Sequence, residues 1–228
     1  METGKSLRDA PKYRAWRRKL DENGLIVQAV NERYVKQRDD GGLLYALVEL
    51  EAESPDGQKL PPTCLVQGYA VSVLVVLIDA QTDDKYVLLV RQRRICDGSE
   101  TYEHPAGMID DEEAPADVAA RELGEETGLA VTPDELVRVS PKPWFSASSV
   151  SDEALYFFYL ERRLPLADIQ ELHGRRTGKA EEQEHTTLHI ASLPDAHQLV
   201  SNMHGVLGHL LYLNEVGDYE TMKRLKIS

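Results

Sequence analysis

Residues 107–129 read GMIDDEEAPADVAARELGEETGL, and this stretch decides how the rest of the chain is interpreted. It fits the pattern G-x5-E-x7-R-E-U-x-E-E-x-G-U, in which U is an aliphatic residue, at every fixed position. At average composition, a chance match of the fixed glycine, glutamate and arginine positions has a probability of roughly one in 10^8. Those positions hold Gly107, Glu113, Arg121, Glu122, Glu125, Glu126 and Gly128, with Leu123 and Leu129 at the aliphatic places.

The same stretch predicts a helix that packs on the protein along one face. Pro115 suits the first helical turn, and Gly128 suits the position just after the last one. At three- and four-residue steps, one face carries small and apolar residues and should be buried. These residues are Ala116, Ala119, Ala120, Leu123 and Thr127.

A neighbouring face of this helix carries three carboxylates, those of Glu122, Glu125 and Glu126. Like charges at these spacings repel, and a carboxylate near a helix C-terminus is further disfavoured. Hard divalent cations such as Mg²⁺ prefer oxygen ligands and would offset the repulsion. Arg121, four residues before Glu125, can pair with the carboxylate that is least available to a metal. A merely solvated acidic helix would leave the glycines and the arginine unexplained.

Composition excludes several other functions. The 228 residues carry a net charge of −13 without a block of lysine or arginine, so we expect no general nucleic-acid surface. Cys64 and Cys96 form no paired motif, which argues against a disulfide framework or a zinc site and fits a reducing compartment. The N-terminus lacks the apolar core of a signal peptide, and no apolar run is long enough to span a membrane. We therefore expect a cytoplasmic protein without a membrane partner.

Residues 1–65 are predicted to form an N-terminal region of their own. Tyr13, Trp16 and Leu20 lie at helical spacing, and the helix should end at Asn23-Gly24. Two strand-like stretches follow at 25–37 and 43–51, separated by the turn residues Asp39-Asp40-Gly41-Gly42, so a hairpin is expected. Proline and glycine clusters then place a boundary near residue 65.

Residues 66–228 are predicted to form a second region with a mixed sheet. Valine- and leucine-rich runs at 70–78 and 86–90 are typical of central strands buried on both faces. Further strands are expected at 154–161 and 185–190. Because strands and helices do not alternate regularly, a mixed sheet flanked by helices, of the α+β class, fits better than a doubly wound fold.

Loops and helices are predicted for the other segments of this region. Residues 141–151 and 174–184 should be loops, the second exposed and mobile, and residues 164–173 should be a short helix. Residues 203–216 should close the chain as a helix with an apolar buried side. The residues expected on that side are Val206, Leu207, Leu210, Leu211 and Leu213.

The stretch at 107–129 resembles the signature of the Nudix hydrolases, which cleave a nucleoside diphosphate linked to another group. The flanking segments resemble those of ADP-ribose and ADP-sugar pyrophosphatases. They are residues 91–95, 103–107 (EHPAG), 151–153 and 174–178 (GRRTG). The resemblance implies a Nudix-type α/β/α sandwich with a mixed β-sheet, preceded by a small antiparallel β region. Since relatives pair through their N-terminal strands, it also implies a homodimer.

This resemblance further implies a metal site. Glu122 and Glu126, with the carbonyl oxygen of Ala106, are implied to hold Mg²⁺ ions, with Mn²⁺ as the alternative. Arg121 and Glu125 are grouped with the catalytic residues of the same helix.

Other residues are implied to meet the substrate or the water. Arg94 and Glu103 should lie beside the bound substrate, and Glu153 should activate water or ligate metal. The choice of general base between Glu153 and Glu122 is open. From the residues alone, phosphate contact is favoured for Arg94, because a guanidinium matches phosphate geometry. A structural role stays open for Glu103 and Glu153.

Two features limit the substrate interpretation. Relatives often carry a proline-glycine segment where this chain has residues 143–149 (PWFSASS). Trp144 or Phe145 in this loop could stack on a base or sugar, or anchor the loop as a buried residue. Five histidines without ligand spacing are interpreted as structural or surface residues. They are His104, His185, His189, His204 and His209.

The expected activity is metal-dependent hydrolysis of the pyrophosphate bond of a nucleoside diphosphate sugar, ADP-ribose or an ADP-sugar, to AMP and a sugar phosphate. One alternative is hydrolysis of oxidised nucleoside triphosphates, against which the EHPAG segment and the long N-terminal region argue. Another is a non-catalytic Nudix-fold sensor of nucleotide sugars, against which the complete set of motif glutamates argues.

Overall fold

The computed structural model describes residues 6–110, 113–178 and 186–225. The chain divides into two compact units. The first comprises Met1–Ala70, Met108–Glu113 and Pro143–Leu155, and the second comprises Val71–Gly107, Ala114–Lys142 and Tyr156–Ser228. The boundary expected near residue 65 stays a prediction, and the first unit takes residues from both sides of it. Within the described ranges, no helix has the length and apolarity needed to cross a membrane.

The first unit contains the predicted N-terminal helix and hairpin. Helix α1 (Pro11–Glu22) starts with proline in its first turn and ends at Asn23, and Gly24 turns the chain with a φ of 74°. Strands β1 (Ile26–Gln37), β2 (Leu43–Glu53) and β3 (Thr63–Val66) follow as an antiparallel sheet in that order. Trp16 of α1 and Val48 of β2 lie in one buried apolar cluster, which holds the helix on the sheet.

A partly buried cluster of charged residues links distant parts of the first unit. The ammonium of Lys12, on α1, lies 2.7 Å from a carboxylate oxygen of Asp110. Arg38, beyond the end of β1, pairs with the other oxygen of Asp110. Lys12 is only 5% exposed, so its charge depends on partners within the protein.

The remaining elements follow in chain order. The strands are β4 (Tyr69–Asp79), β5 (Lys85–Arg93), β6 (Glu100–Glu103), β7 (Ala106–Met108), β8 (Val137–Arg138), β9 (Trp144–Phe145), β10 (Ala154–Leu164), β11 (Arg176–Thr177) and β12 (Thr186–Ser192). The helices are α2 (Pro115–Thr127), α3 (Leu166–Leu172), α4 (Leu193–Leu199), α5 (Met203–Glu215) and α6 (Tyr219–Arg224). Across the described residues these strands form one nine-stranded sheet with the path β11-β12-β5-β4-β10-β8, while β6 pairs with β5, β7 with β4 and β9 with β10.

The centre of this sheet is buried on both faces, as the valine and leucine runs predict. Every residue of β4 after Tyr69 is buried. Leu74 and Val76 of β4 and Leu89 of β5 pack against α4 and α5 on one face. Successive side chains of a strand point to opposite faces of the sheet. The neighbouring residues Val75 and Leu88 are also fully buried, so apolar side chains cover the other face too.

The structure corrects three sequence expectations. The buried side of α5 is not the leucine face, because only Leu213 of the expected set is buried; the buried residues are Gly205, Gly208, His209, Tyr212 and Leu213. The predicted loop at 141–151 contains the short strand β9. The predicted loop at 174–184 contains β11, while its residues 179–184 lie outside the described residues.

Candidate active site

Helix α2 forms where the motif predicts it. Pro115 occupies the first turn, and Gly128 ends the helix with a left-handed φ of 73°, its N–H donating to the carbonyl of Gly124 at 2.8 Å. The buried face is Val118, Ala119, Ala120, Leu123 and Thr127. Ala116, expected on this face, is only half-buried, whereas Val118, which was not expected there, is fully buried.

The side chain of Glu122 occupies the space beside Gly107 that any other residue would fill. A Cβ placed on Gly107 would lie 2.1 Å from Cδ and 2.2 Å from Cγ of Glu122. Real side chains never approach that closely, so the glycine at the start of the motif is required by the glutamate on the helix.

Main chain from the same strand also reaches Glu126. The N–H of Ala106, the first residue of β7, donates to a carboxylate oxygen of Glu126 at 3.1 Å. Residues 106 and 107 therefore each contact a different motif glutamate, and the structure brings Ala106, Glu122 and Glu126 together as the sequence resemblance implies.

Arg121 pairs with two of the three motif carboxylates. Its Nη1 lies 3.3 Å from Glu125, the predicted partner, and 2.9 Å from Glu122. The guanidinium thus offsets repulsion among carboxylates that lie half-buried on one side of α2. A second arginine, Arg175, lies over the C-terminal end of α2, since a Cβ on Gly128 would be 2.3 Å from its Nη2. A cation at this position is favourable to the helix dipole.

The donors at this site fit a hard divalent cation. In the ligand set that the resemblance implies, Glu122 and Glu126 would supply carboxylate oxygens and Ala106 a main-chain carbonyl, and oxygen donors of this kind suit Mg²⁺ or Mn²⁺. The missing Cβ of Gly107 leaves the room in which the Glu122 carboxylate lies. Among residues 6–110, 113–178 and 186–225, however, no three His, Cys, Asp or Glu side chains are grouped to hold a metal.

Arg94 and Glu103, the predicted substrate-binding pair, contact each other. Nε and Nη2 of Arg94 donate to the two oxygens of Glu103 at 2.9 and 2.7 Å, and the hydroxyl of Thr101 donates to the same carboxylate at 2.6 Å. Burial raises the pKa of Glu103, but the hydrogen bonds from Arg94 and Thr101 outweigh it and leave this pKa lowered. The carboxylate is therefore ionised and fixes an arginine whose side chain is 48% exposed.

Glu153 belongs to the first unit, just before β10. Its carboxylate accepts hydrogen bonds from the side-chain amide of Gln67 at 3.0 Å and from the hydroxyl of Ser146 at 2.5 Å.

Trp144 and Phe145, in the same unit, are 45% and 59% exposed. The interpretation of either aromatic residue as a buried anchor is therefore wrong, whereas stacking on a ligand stays a prediction.

Sequence reasoning missed two features of these surroundings. Gln67 and Ser146 carry no motif, and only the folded chain brings them to Glu153. The second is a buried histidine cluster: His209 contacts His104 through their Nε2 atoms and His197 through their Nδ1 atoms, each at 3.1 Å. His104 and His209 are thus buried structural residues, as expected; His185 lies outside the described residues.

Comparison with known proteins identifies the family. The NUDIX domain profile matches residues 68–204. Nudix hydrolase 14, chloroplastic, from Arabidopsis thaliana is 28% identical over 197 residues, which are 77% of this chain and 61% of that protein. The chain therefore spans less than two thirds of the length of that relative. The ADP-ribose pyrophosphatase of Bacillus subtilis (strain 168) is 28% identical over 167 residues, 73% of this chain and 81% of that protein.

Solved structures agree with the sequence comparison on the fold. The crystal structure of an ADP compounds hydrolase superposes with a TM-score of 0.59 and 18% identity, covering 85% of this chain and 96% of that one. The predicted Nudix-type α+β fold with a mixed sheet and a small antiparallel N-terminal sheet is confirmed. Since the profile covers more than half of the chain and includes the complete glutamate motif on α2, the chain belongs to the Nudix family.

Proposed function

We propose that this Nudix protein hydrolyses the pyrophosphate bond of a nucleoside diphosphate sugar, with ADP-ribose or an ADP-sugar as the substrate class and Mg²⁺ or Mn²⁺ as cofactor. The observation that carries the proposal is the close approach of Glu122 to Gly107, with Glu126 hydrogen-bonded to Ala106. This places two acidic side chains at one stretch of strand, as expected for a cation site facing a diphosphate. The relative from Bacillus subtilis, an ADP-ribose pyrophosphatase, supports the substrate class.

In this proposal each residue of the site has a separate role in the hydrolysis. Glu122, Glu126 and the carbonyl of Ala106 hold the metal, and Arg94, fixed by Glu103, contacts a phosphate of the substrate. A bound divalent ion would lower the pKa of water and neutralise charge on the diphosphate. Glu153 or Glu122 takes the proton of the water that attacks phosphorus. Water adds across the P–O–P link, and the products are AMP and a sugar phosphate.

Replacing Glu126 tests the proposal directly. We expect Glu126→Ala to abolish Mg²⁺-dependent hydrolysis of ADP-ribose, because the variant lacks one carboxylate of the metal site. The melting temperature should change little, since Glu126 is not part of the buried core. Glu171→Ala, at an exposed position of α3, is the matched control and should keep full activity. An active Glu126→Ala protein would refute the proposal.

A substrate screen separates the alternatives. Nucleotide sugars and oxidised nucleoside triphosphates are incubated with Mg²⁺ or Mn²⁺, and both products are identified by mass spectrometry. AMP and a sugar phosphate from ADP-ribose or an ADP-sugar support the proposal, whereas turnover confined to oxidised triphosphates supports the first alternative. Tight calorimetric binding without products would favour a nucleotide-sugar sensor.

Pairing of two copies through the first sheet stays a prediction that analytical ultracentrifugation can test.

A further inference from the structure

The carboxylate of Glu153 is fixed by groups from two other segments of the first unit. The side-chain amide of Gln67 donates to Oε1 at 3.0 Å, and the hydroxyl of Ser146 donates to Oε2 at 2.5 Å. The main chain is fixed as well: the N–H of Glu153 donates to the hydroxyl of Ser151 at 3.1 Å, and its carbonyl accepts from the N–H of Ser146 at 3.1 Å. Neither the side chain nor the backbone of Glu153 can turn without losing hydrogen bonds.

The residue before Glu153 fixes the backbone that carries Gln67. One carboxylate oxygen of Asp152 accepts the N–H groups of Gln67 at 2.6 Å and Gly68 at 3.0 Å. Asp152 is only 9% exposed, and two amide donors to one buried carboxylate oxygen make a stiff contact. Gly68 has a φ of 83°, which a residue with a side chain adopts only with strain.

Main-chain and hydroxyl hydrogen bonds join the same two segments further along. The N–H of Leu65 donates to the carbonyl of Val150 at 2.7 Å, and the carbonyl of Leu65 accepts from the hydroxyl of Ser151 at 3.1 Å. The N–H of Asp152 also donates to this carbonyl, at 3.2 Å. Residues 65–68 and 150–153 are therefore joined by hydrogen bonds at several points along both segments.

We infer that Gln67 and Ser146 are positioning residues for Glu153 in the proposed hydrolysis, an inference that rests on the proposed function. Each donates a single hydrogen bond to a different oxygen of the carboxylate. An ionised carboxylate has about four lone-pair sites, so two donors orient it and leave sites for the proton of the attacking water. Both donors are neutral, and neither can transfer a full proton to the carboxylate near neutral pH.

Steady-state kinetics with ADP-ribose and Mg²⁺ test this inference. Gln67→Met keeps the length of the side chain and removes the donor, and Ser146→Ala removes the hydroxyl. We expect each to lower kcat by about tenfold while KM changes less than about twofold, since the lost contact serves the reacting carboxylate and not substrate binding. Ser146→Thr restores a hydroxyl and should recover most of kcat. The exposed Gln28→Met and Ser201→Ala are controls that should match the wild type.

A double-mutant cycle separates positioning from a general structural effect. If Gln67 acts through Glu153, then Gln67→Met should not lower kcat further in a Glu153→Ala background. An equal fold-change in both backgrounds would overturn the inference. So would unchanged kcat for both Gln67→Met and Ser146→Ala in an otherwise wild-type chain.

Failure of the inference and failure of the proposed function give different results. An active wild type, a Glu153→Ala variant slowed by at least about a hundredfold and fully active Gln67→Met and Ser146→Ala variants would overturn the inference alone. A wild type without activity on any nucleotide sugar would overturn the proposed function. Crystal structures of wild type and Gln67→Met then decide the positioning role: a rotated Glu153 carboxylate in the variant supports it, and an unchanged one overturns it.

Discussion

Gly107 and Glu122 lie fifteen positions apart in the sequence and in contact in the fold. The glycine carries no chemistry of its own, yet any Cβ there would coincide with the glutamate side chain. Because the end of a glutamate side chain can rotate away, a larger residue at position 107 displaces the carboxylate and leaves the backbone in place. If Glu122 acts as proposed, the glycine therefore helps to set the position of its carboxylate.

We therefore expect Gly107→Ala to lower kcat for the proposed reaction by about 10- to 100-fold, because a displacement of about 1 Å at a reacting group has an effect of this size. The melting temperature should stay close to that of the wild type. Gly124→Ala is the matched control: its Cβ would meet only the carbonyl of Leu129, at 3.6 Å, and alanine favours a helix over glycine by up to about 1 kcal/mol. Equal kcat for both variants, by steady-state assay, would contradict the prediction.

At single positions, the sequence predicts contacts within one element better than contacts between elements. The pairing of Arg121 with Glu125 follows from a four-residue helical step and is confirmed. Gln67, by contrast, reaches Glu153 from a position 86 residues away, through a loop whose path no local pattern specifies. The roles implied for Glu122, Glu126 and Glu153 stay predictions, whereas the closeness of Glu122 to the glycine of the motif is a finding.

Among the elements, α5 shows why an apolar face can be wrongly assigned. Leucine content points to one face, but the buried residues of the helix include Gly205, which faces Val200, and Gly208, which faces His104. A Cβ on Gly208 would lie 2.9 Å from Cε1 of His104, so the approach depends on a missing side chain. Helix α2, with proline at its start and glycine at its end, was predictable because those signals are local.

The buried histidines on α4, α5 and the segment before β7 predict a loss of stability in mild acid. Burial lowers the pKa of His104 to about 4 and also lowers the pKa values of His197 and His209. In the unfolded chain these pKa values return to about 6.5. The unfolded state therefore binds more protons below pH 6.5, and the free energy of unfolding falls as the pH drops towards 4.

Urea denaturation at constant ionic strength checks this expectation. Between pH 7 and pH 5, the free energy of unfolding should fall, with a slope of up to about 1.4 kcal/mol per pH unit for each additional proton bound by the unfolded chain. His197→Gln removes one titrating group and should reduce the slope. A flat profile above pH 5, where carboxylates of ordinary pKa stay ionised, would contradict the prediction.

For the molecule as a whole, the contacts of the first unit bear on whether residues 66–228 can fold without residues 1–65. The fragment 66–228 would keep Asp110 but lose both of its cationic partners, Lys12 and Arg38. The fragment would also lose Leu65, whose main chain is hydrogen-bonded to Val150 and Asp152, so residues 143–155 would lose part of the contacts of their unit. We expect this fragment to melt at a lower temperature than the full chain or not to fold, as circular dichroism would show. A cooperative transition at the temperature of the full chain would instead make residue 65 a true domain boundary.

At this scale the class of fold is predictable from the sequence, but the order of the strands in the large sheet is not. Valine runs such as 70–78 predict central strands, and the irregular order of strands and helices predicts the α+β class; both agree with the structure. The order of strands in the large sheet was not predictable, because β12 pairs with β5 across about a hundred residues. Nor were β3 and α4, which are short and owe their form to tertiary packing.

The three-segment composition of the first unit has a consequence for biosynthesis. Residues Met1–Ala70 leave the ribosome early, but their unit also contains Pro143–Leu155. During synthesis Gln67 therefore lacks its partner Glu153 until a further 86 residues have been translated. Contacts of such sequence separation form slowly in refolding as well.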